Sequence, residues 1–281
     1  MNATSFLRDG VELTAYESGD GVPVIFQHGL GGDVAQVAEV FPDGPHLRRL
    51  TLECRAQGMS HCGPFDRLSI RTFADDVLAL ADSLGIEQFV VGGISMGAAI
   101  ALRLAVTVPH RVRGLVTARP AWLWDPAPTN MEPFADLARY LAQADLAQAK
   151  VQFERSETAT TLAIEAPDNL ASLLKFFSAP DPLTTAHLLA QIAADGPGVT
   201  REQVRALSVP TLVIGHGADV VHPLAYARTL AAEIDGARLI EVTSKVASKA
   251  RYVEDFRSAL KTFLEDAVAS NDGTPSPSRS S

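Results

Sequence analysis

Cysteine is scarce: Cys54 and Cys62 are the only two in 281 residues, eight apart, with no CxxC spacing and no histidine cluster beside them. That pattern excludes a disulfide-held scaffold and offers no convincing zinc site, so free thiols are expected. No run of about 18 apolar residues occurs, which leaves no candidate for a membrane-spanning helix. There is no block of Lys or Arg either. With 24 basic and 33 acidic residues the formal charge is -9, and the electrostatic footprint that nucleic acid or anionic lipid requires is missing. Residues 1–8 contain neither a basic leader nor an apolar core, so the expected location is cytoplasmic. Histidine numbers seven, and none follows His222.

What is present is ordinary globular material, 47% hydrophobic and 20% charged, long enough for one large domain or a domain with an insertion. Short β-branched runs suggest strands at Val22–Gln27, Arg49–Cys54, Gln88–Gly92, Val112–Ala118, Thr211–Gly215 and Arg238–Thr243. Between them lie segments of helical period, the alternation of an α/β protein with a mostly parallel sheet and helices on both faces. Thr72 to Leu84 places Phe73, Val77, Leu80 and Leu84 on one face, with Thr72-x-x-Asp75 as a capping-box variant and Gly85 as the stop. Tyr252 to Leu264 repeats the pattern through Phe256, Leu260, Phe263 and Leu264. From about Asp125 to Val204 the period changes to Ala- and Leu-rich helix with no clear strand. The predicted organisation is a core of residues 1–125 and 205–267, a helical cap at 126–204 and a disordered tail at 268–281.

Gly93-Ile94-Ser95-Met96-Gly97 follows the apolar run Phe89-Val90-Val91-Gly92 and precedes a helix-like stretch from Ala98 to Val106. It reads as a nucleophile elbow, in which a strained turn lifts the serine hydroxyl above the sheet and only glycine fits on either side. The Met96 N–H would open the helix, where an orphan donor and the positive end of the helix dipole can hold an oxyanion.

Together with His28-Gly29-Leu30-Gly31-Gly32 after the strand Val22–Gln27, these residues resemble the α/β-hydrolase superfamily over most of residues 11–264. The resemblance implies an α/β-hydrolase fold with a helical cap and no cofactor. It makes Ser95 the nucleophile, Asp219 the triad acid and Leu30 the second oxyanion donor; His28 is expected to be structural. Residues 53–60 look like the superfamily's DxRGxGxS turn with Glu53 and Ala56 departing from it, a loop-shaping role.

The superfamily's histidine after the last strand is missing, since residues 241–249 contain none. Three accounts stay open. His222 serves as base, with His216 a weaker candidate of the same kind; or Lys245 or Lys249 forms a Ser-Lys pair; or the site binds without efficient turnover. An imidazole base predicts activity rising through about pH 6 to 7. The expected function is hydrolysis of a small ester, thioester or related acyl compound through an acyl-enzyme on Ser95. The alternatives are a ligand-binding or scaffold protein and a carbon–carbon bond hydrolase. The expected partner is a small, largely apolar acyl substrate whose tail meets Phe176 and Phe177. Arg119 is expected either to bind a substrate carboxylate or to form a salt bridge, and nothing in the sequence assigns an oligomeric state.

Overall fold

Asp9 and Gly10, both at positive φ (51° and 75°), turn the chain between β1 (Asn2–Arg8) and β2 (Val11–Ser18). An Asp-Gly pair suits the primed turn of a two-residue hairpin, which needs positive φ at both positions. This hairpin stands outside the six strands that β-branched runs suggest. β1 is largely exposed and so carries little apolar signal, but the Asp-Gly pair could have revealed it. The computed structural model describes residues 2–42, 44 and 46–269.

The remaining strands are β3 (Val22–Gln27), β4 (Leu47–Leu52), β5 (Phe89–Ile94), β6 (Val112–Ala118), β7 (Thr211–Gly215) and β8 (Arg238–Glu241). The sheet order is β1-β2-β4-β3-β5-β6-β7-β8. β1–β2 and β2–β4 pair antiparallel and all other pairs are parallel. β3, β6 and β7 have the predicted bounds; β4 and β5 are displaced by one or two residues and β8 stops at Glu241.

Alternate strand residues go to opposite faces because successive Cβ atoms do. Ile25, Phe89, Val91, Leu115 and Val213 pack in one cluster with α2 (Ile70–Ser83), α3 (Met96–Thr107) and α10 (Leu224–Glu233). Val24, Phe26, Val90, Ile94, Val116 and Ile214 pack in the other with α1 (Val34–Val40) and α11 (Lys249–Ala269). α11 buries Phe256, Leu260, Phe263 and Leu264 there, each worth about 1.5–3 kcal/mol of burial. α2 begins earlier than its periodicity suggests: Ser69 is its N-cap and accepts from the Thr72 N–H, so the Thr72-x-x-Asp75 box is not the cap. α11 runs to Ala269, into the span predicted as disordered; residues 270–281 of that span lie outside the described residues.

Between β6 and β7 come α4 (Glu132–Leu141), α5 (Leu146–Glu154), α6 (Glu157–Glu165), α7 (Pro167–Leu174), a 3-10 turn at Lys175–Ser178, α8 (Pro182–Ala194) and α9 (Arg201–Arg205). α4 packs on α8 and α5, and α6 on α7, whereas α9 packs on α3 and α10. Asp195 ties this helical segment to the sheet layers: its carboxylate accepts from the Ile70 N–H at 2.7 Å, and its carbonyl from Trp122 Nε1 at 2.9 Å.

Candidate active site

β3 lies between β4 and β5, so the chain leaves β3 to one side and returns on the other. In open α/β sheets ligands bind at such a switch point, outside the carboxyl ends of the strands. Residues 28–32 leave the end of β3, and Ser95 directly follows β5 beside it. Arg119 follows β6, Asp219 and His222 follow β7, and Lys245 follows β8, so neighbouring strands deliver all these groups to one edge.

Ser95 has φ 57° and ψ -112°, a conformation costing about 1–3 kcal/mol for a non-glycine residue. Close approach enforces the turn. A Cβ on Gly97 would lie 2.3 Å from the Gln27 carbonyl oxygen, and one on Gly93 2.5 Å from the Gly97 carbonyl carbon. α3 starts at Met96, two residues earlier than its apolar pattern suggests, which leaves the Met96 N–H without an intrahelical acceptor. Across from it, the Leu30 N–H has no acceptor among the described residues, while its neighbours are held. Gly29 N–H donates to Gln36 Oε1 and Gly31 N–H to Gln57 Oε1, each at 2.7 Å.

The segment 53–60 braces that loop. Glu53 accepts from the backbone of Val34 and Met59, and Arg55 is paired with buried Asp76 at 2.7 Å. His28 is wholly buried, contacting the Gly29 carbonyl through Nδ1 and accepting the Cys54 N–H on Nε2. Both its nitrogens are used within the scaffold. Cys54 and Cys62 are free thiols.

His222 Nε2 lies 2.8 Å from Ser95 Oγ. Its Nδ1 lies 2.9 and 3.0 Å from the two Asp219 oxygens. Two side chains three residues apart can converge because Asp219 Oδ1 also accepts the His222 backbone N–H at 3.0 Å. This side-chain-to-backbone bond over three residues curls the loop, so the imidazole returns over the carboxylate while its far edge reaches Ser95 at the end of β5. Arg119 donates to Asp219 Oδ2 from Nε at 3.0 Å and from Nη2 at 2.6 Å, and its Nη2 also stands 3.0 Å from His222 Nδ1. Arg119 is thus a buried ion-pair partner of Asp219.

Burial would push the Asp219 carboxyl up, but His222 and Arg119 outweigh it and hold the group well below the usual carboxylate range. Burial, followed by the Arg119 charge, pushes His222 down to about 4 against the opposing pull of Asp219. His216 is also lowered, first by burial, and its Nε2 stands 3.6 Å from Asp219, too far for a hydrogen bond. Lys249 pairs with Glu39 at 2.7 Å on the surface, away from the site. Lys245 lines the cavity but makes no hydrogen bond to Ser95, whose side-chain partner is His222.

The cavity above Ser95 measures about 390 Å³ and is walled by residues 29–32, Phe134, Asn169, Phe176, Leu188 and Lys245 among others. Phe176 turns its ring against Phe134 and over Gly31. Phe177 does not line it and packs on Phe153 instead, ring centroids 5.8 Å apart. Neighbouring residues of a 3-10 turn point about 120° apart, so only one of the pair can face the site. Sequence reasoning also missed Asn169, whose Oδ1 accepts from the Val220 and Val221 N–H groups at 2.9 and 3.1 Å. No local signal marks it, because the contact joins α7 to a loop some fifty residues on.

Residues 22–242 match the model of the alpha/beta hydrolase fold family. The chain belongs to the α/β hydrolase family. A 2-hydroxymuconate semialdehyde hydrolase from Pseudomonas sp. (strain CF600) is 29% identical over 92% of this chain and 93% of its own length. A second, from Pseudomonas putida, is 27% identical over 94% of each. The crystal structure of the enol-lactonase from Burkholderia xenovorans LB400 is similar with a TM-score of 0.69 and 27% identity, covering 93% of this chain and all of that one. With this family and these relatives, the protein is a hydrolase. Among the described residues no helix is long and apolar enough to cross a membrane.

Proposed function

We propose that this α/β hydrolase cleaves a small ester, thioester or related acyl compound through an acyl-enzyme on Ser95, with His222 as general base and Asp219 as its carboxylate partner. The observation that carries this is the unbroken line from Ser95 Oγ through both imidazole nitrogens to Asp219, at 2.8 and 2.9 Å. Ser95 Oγ attacks the acyl carbon while its proton passes to His222 Nε2, and Asp219 accepts the Nδ1–H and stabilises the imidazolium. The carbonyl oxygen becomes an oxyanion facing the Leu30 and Met96 N–H groups, each such donor being worth about 10²–10³ in rate. The imidazolium then gives its proton to the departing alkoxide or thiolate. Water repeats the sequence on the acyl-enzyme, releasing the acid and restoring Ser95.

A second reading keeps these groups and changes the bond. The relatives named for 2-hydroxymuconate semialdehyde support carbon–carbon hydrolysis, in which the proton from His222 would go to a departing carbon. Labelling by a fluorophosphonate tests both readings, since it needs only an activated serine. Wild type should label at Ser95, and Ser95→Ala should lose labelling together with turnover of methyl butyrate. Labelling that survives in Ser95→Ala would put the nucleophile elsewhere. Labelled protein that cleaves a dienol ketone but no ester would favour the carbon–carbon reading.

A further inference from the structure

The chain carries a formal charge of -9, yet among the described residues the cavity over Ser95 is lined by Arg119, Lys175 and Lys245 and by no carboxylate side chain. Arg119 is neutralised by Asp219 beneath it. The two lysines are not neutralised: no carboxylate among the described residues lies within salt-bridge distance of either. Lys175 is exposed on the 3-10 turn, whereas Lys245 is half-buried in the wall formed by the loop after β8. Its ammonium rests 4.8 Å from the Tyr252 ring centroid and, among the described residues, has no hydrogen-bond partner. A lysine ordinarily carries its charge out to bulk water along its flexible stem. In the family's usual plan a histidine follows the last strand. Here the base comes from the loop after β7, and the place after β8 is free for a group that meets substrate.

We propose that Lys245 binds a carboxylate on the substrate, so that this hydrolase takes small acyl compounds bearing an acid group away from the reacting carbonyl, with Lys175 as a second cation. The proposal rests on the hydrolytic reading of Ser95. An ammonium half-buried in the wall with no carboxylate within salt-bridge distance is less fully hydrated than in bulk water, and a bound carboxylate supplies a charge-assisted hydrogen bond. It also replaces the largely apolar substrate expected from composition, because net charge says nothing about where the cations gather.

Burial, then the Arg119 charge, pushes Lys245 down to about 8. The charged groups acting on it are Arg119, Asp219, Glu39 and Asp168, with Tyr252, His216 and His222 as titratable neighbours. Glu39 is engaged by Lys249 and Asp219 by Arg119 and His222, whereas Asp168, whose Oδ2 is buried without a hydrogen-bond partner, acts on Lys245 from beyond salt-bridge distance. The ammonium is therefore present at neutral pH and is lost as pH rises through about 8, so binding of an anionic substrate weakens there.

The test uses the purified full chain with monomethyl glutarate and methyl butyrate, esters that differ by a terminal carboxylate. Wild type should favour the glutarate ester, and Lys245→Met should lower the ratio of the two kcat/KM values about 10- to 100-fold, mainly through KM. Lys245→Gln should behave likewise, Lys245→Arg should keep most of the preference, and the wild-type decline above about pH 8 should vanish in Lys245→Arg. As a readout independent of turnover, butyrate should slow fluorophosphonate labelling of Ser95 more than butanamide does, and this difference should disappear in Lys245→Met. An unchanged ester ratio, with butyrate no better than butanamide, would overturn the proposal while leaving Ser95 a labelled nucleophile. If Ser95 fails to label, the hydrolytic reading falls, and calorimetric titration of butyrate still decides for Lys245: equal affinity in wild type and Lys245→Met overturns it.

Discussion

His222 Nδ1 faces a carboxylate at 2.9 Å and a guanidinium at 3.0 Å, and it cannot satisfy both. With a proton on Nδ1 the ring donates to Asp219 and Nε2 is free to receive the serine proton. With a lone pair on Nδ1 it accepts from Arg119, and Nε2–H would face Ser95 in the unproductive sense. The same guanidinium helps hold His222 at about 4, second to burial. In the proposed mechanism neutral imidazole is the working form, so kcat/KM should rise as pH increases through about 4 to 5, well below the pH 6 to 7 of an unperturbed imidazole. Arg119→Met should move this limb toward neutrality, since it removes a charge that opposes protonation. A kcat/KM profile for both proteins checks it, and a wild-type limb near 6.5 would show that Asp219 dominates the ring.

The loop that carries Asp219 and His222 is held from above by an element far away in sequence. Asn169 on α7 is buried, and its one oxygen satisfies two backbone N–H groups of residues 220 and 221. Asn130 grips the same loop by donating to the Val221 carbonyl at 2.6 Å. Asn169→Leu leaves two backbone donors unpaired, the buried Val221 N–H at about 1–3 kcal/mol and the half-buried Val220 N–H at less, and frees the segment that sets the His222–Ser95 distance. We predict a lower melting temperature and a kcat reduced about 10- to 100-fold, as expected if the proposed base is displaced by a fraction of an ångström to one ångström. The rate of Ser95 labelling should fall in parallel. A variant that loses stability and keeps the wild-type labelling rate would show that α7 supports the fold and not the base.

Across the whole molecule, His28, His216 and His222 all titrate below the ordinary histidine value, in each case first because of burial. Their unfolded counterparts bind protons below about pH 6.5 while the folded ones resist, so the unfolded state gains protons as pH falls. The stability they confer is present above about pH 6.5 and is lost as pH falls toward the folded values. For His222 alone, folded near 4, the loss is about 2 kcal/mol by pH 5. Melting temperature should therefore drop between pH 6.5 and 5, and His222→Gln should show a shallower drop over that window. Equal slopes for the two proteins would mean that His222 is accessible to protons in the native state.

Elements whose causes are local can be read from the residues alone. A strand, a turn that admits only glycine at residues 93 and 97, and a helix follow one another in residues 89–107, so the elbow is written in consecutive residues. The parallel strands and α11 are legible because apolar spacing records burial. The β1–β2 hairpin is less so, since an exposed edge strand needs few apolar residues and only its Asp9-Gly10 turn betrays it. Which of the candidate bases meets Ser95 follows only from the folded arrangement. His216, His222 and Lys245 all descend from strand ends beside the site, and composition cannot rank them. The bond from the His222 backbone N–H to the Asp219 carboxylate curls the loop so that only His222 meets the serine. The roles of Arg119 and Asn169 likewise depend on partners 100 and about 50 residues away. Such pairings are set by the order in which strands join the sheet and helices close over it, a property of the folded chain that no window of sequence contains.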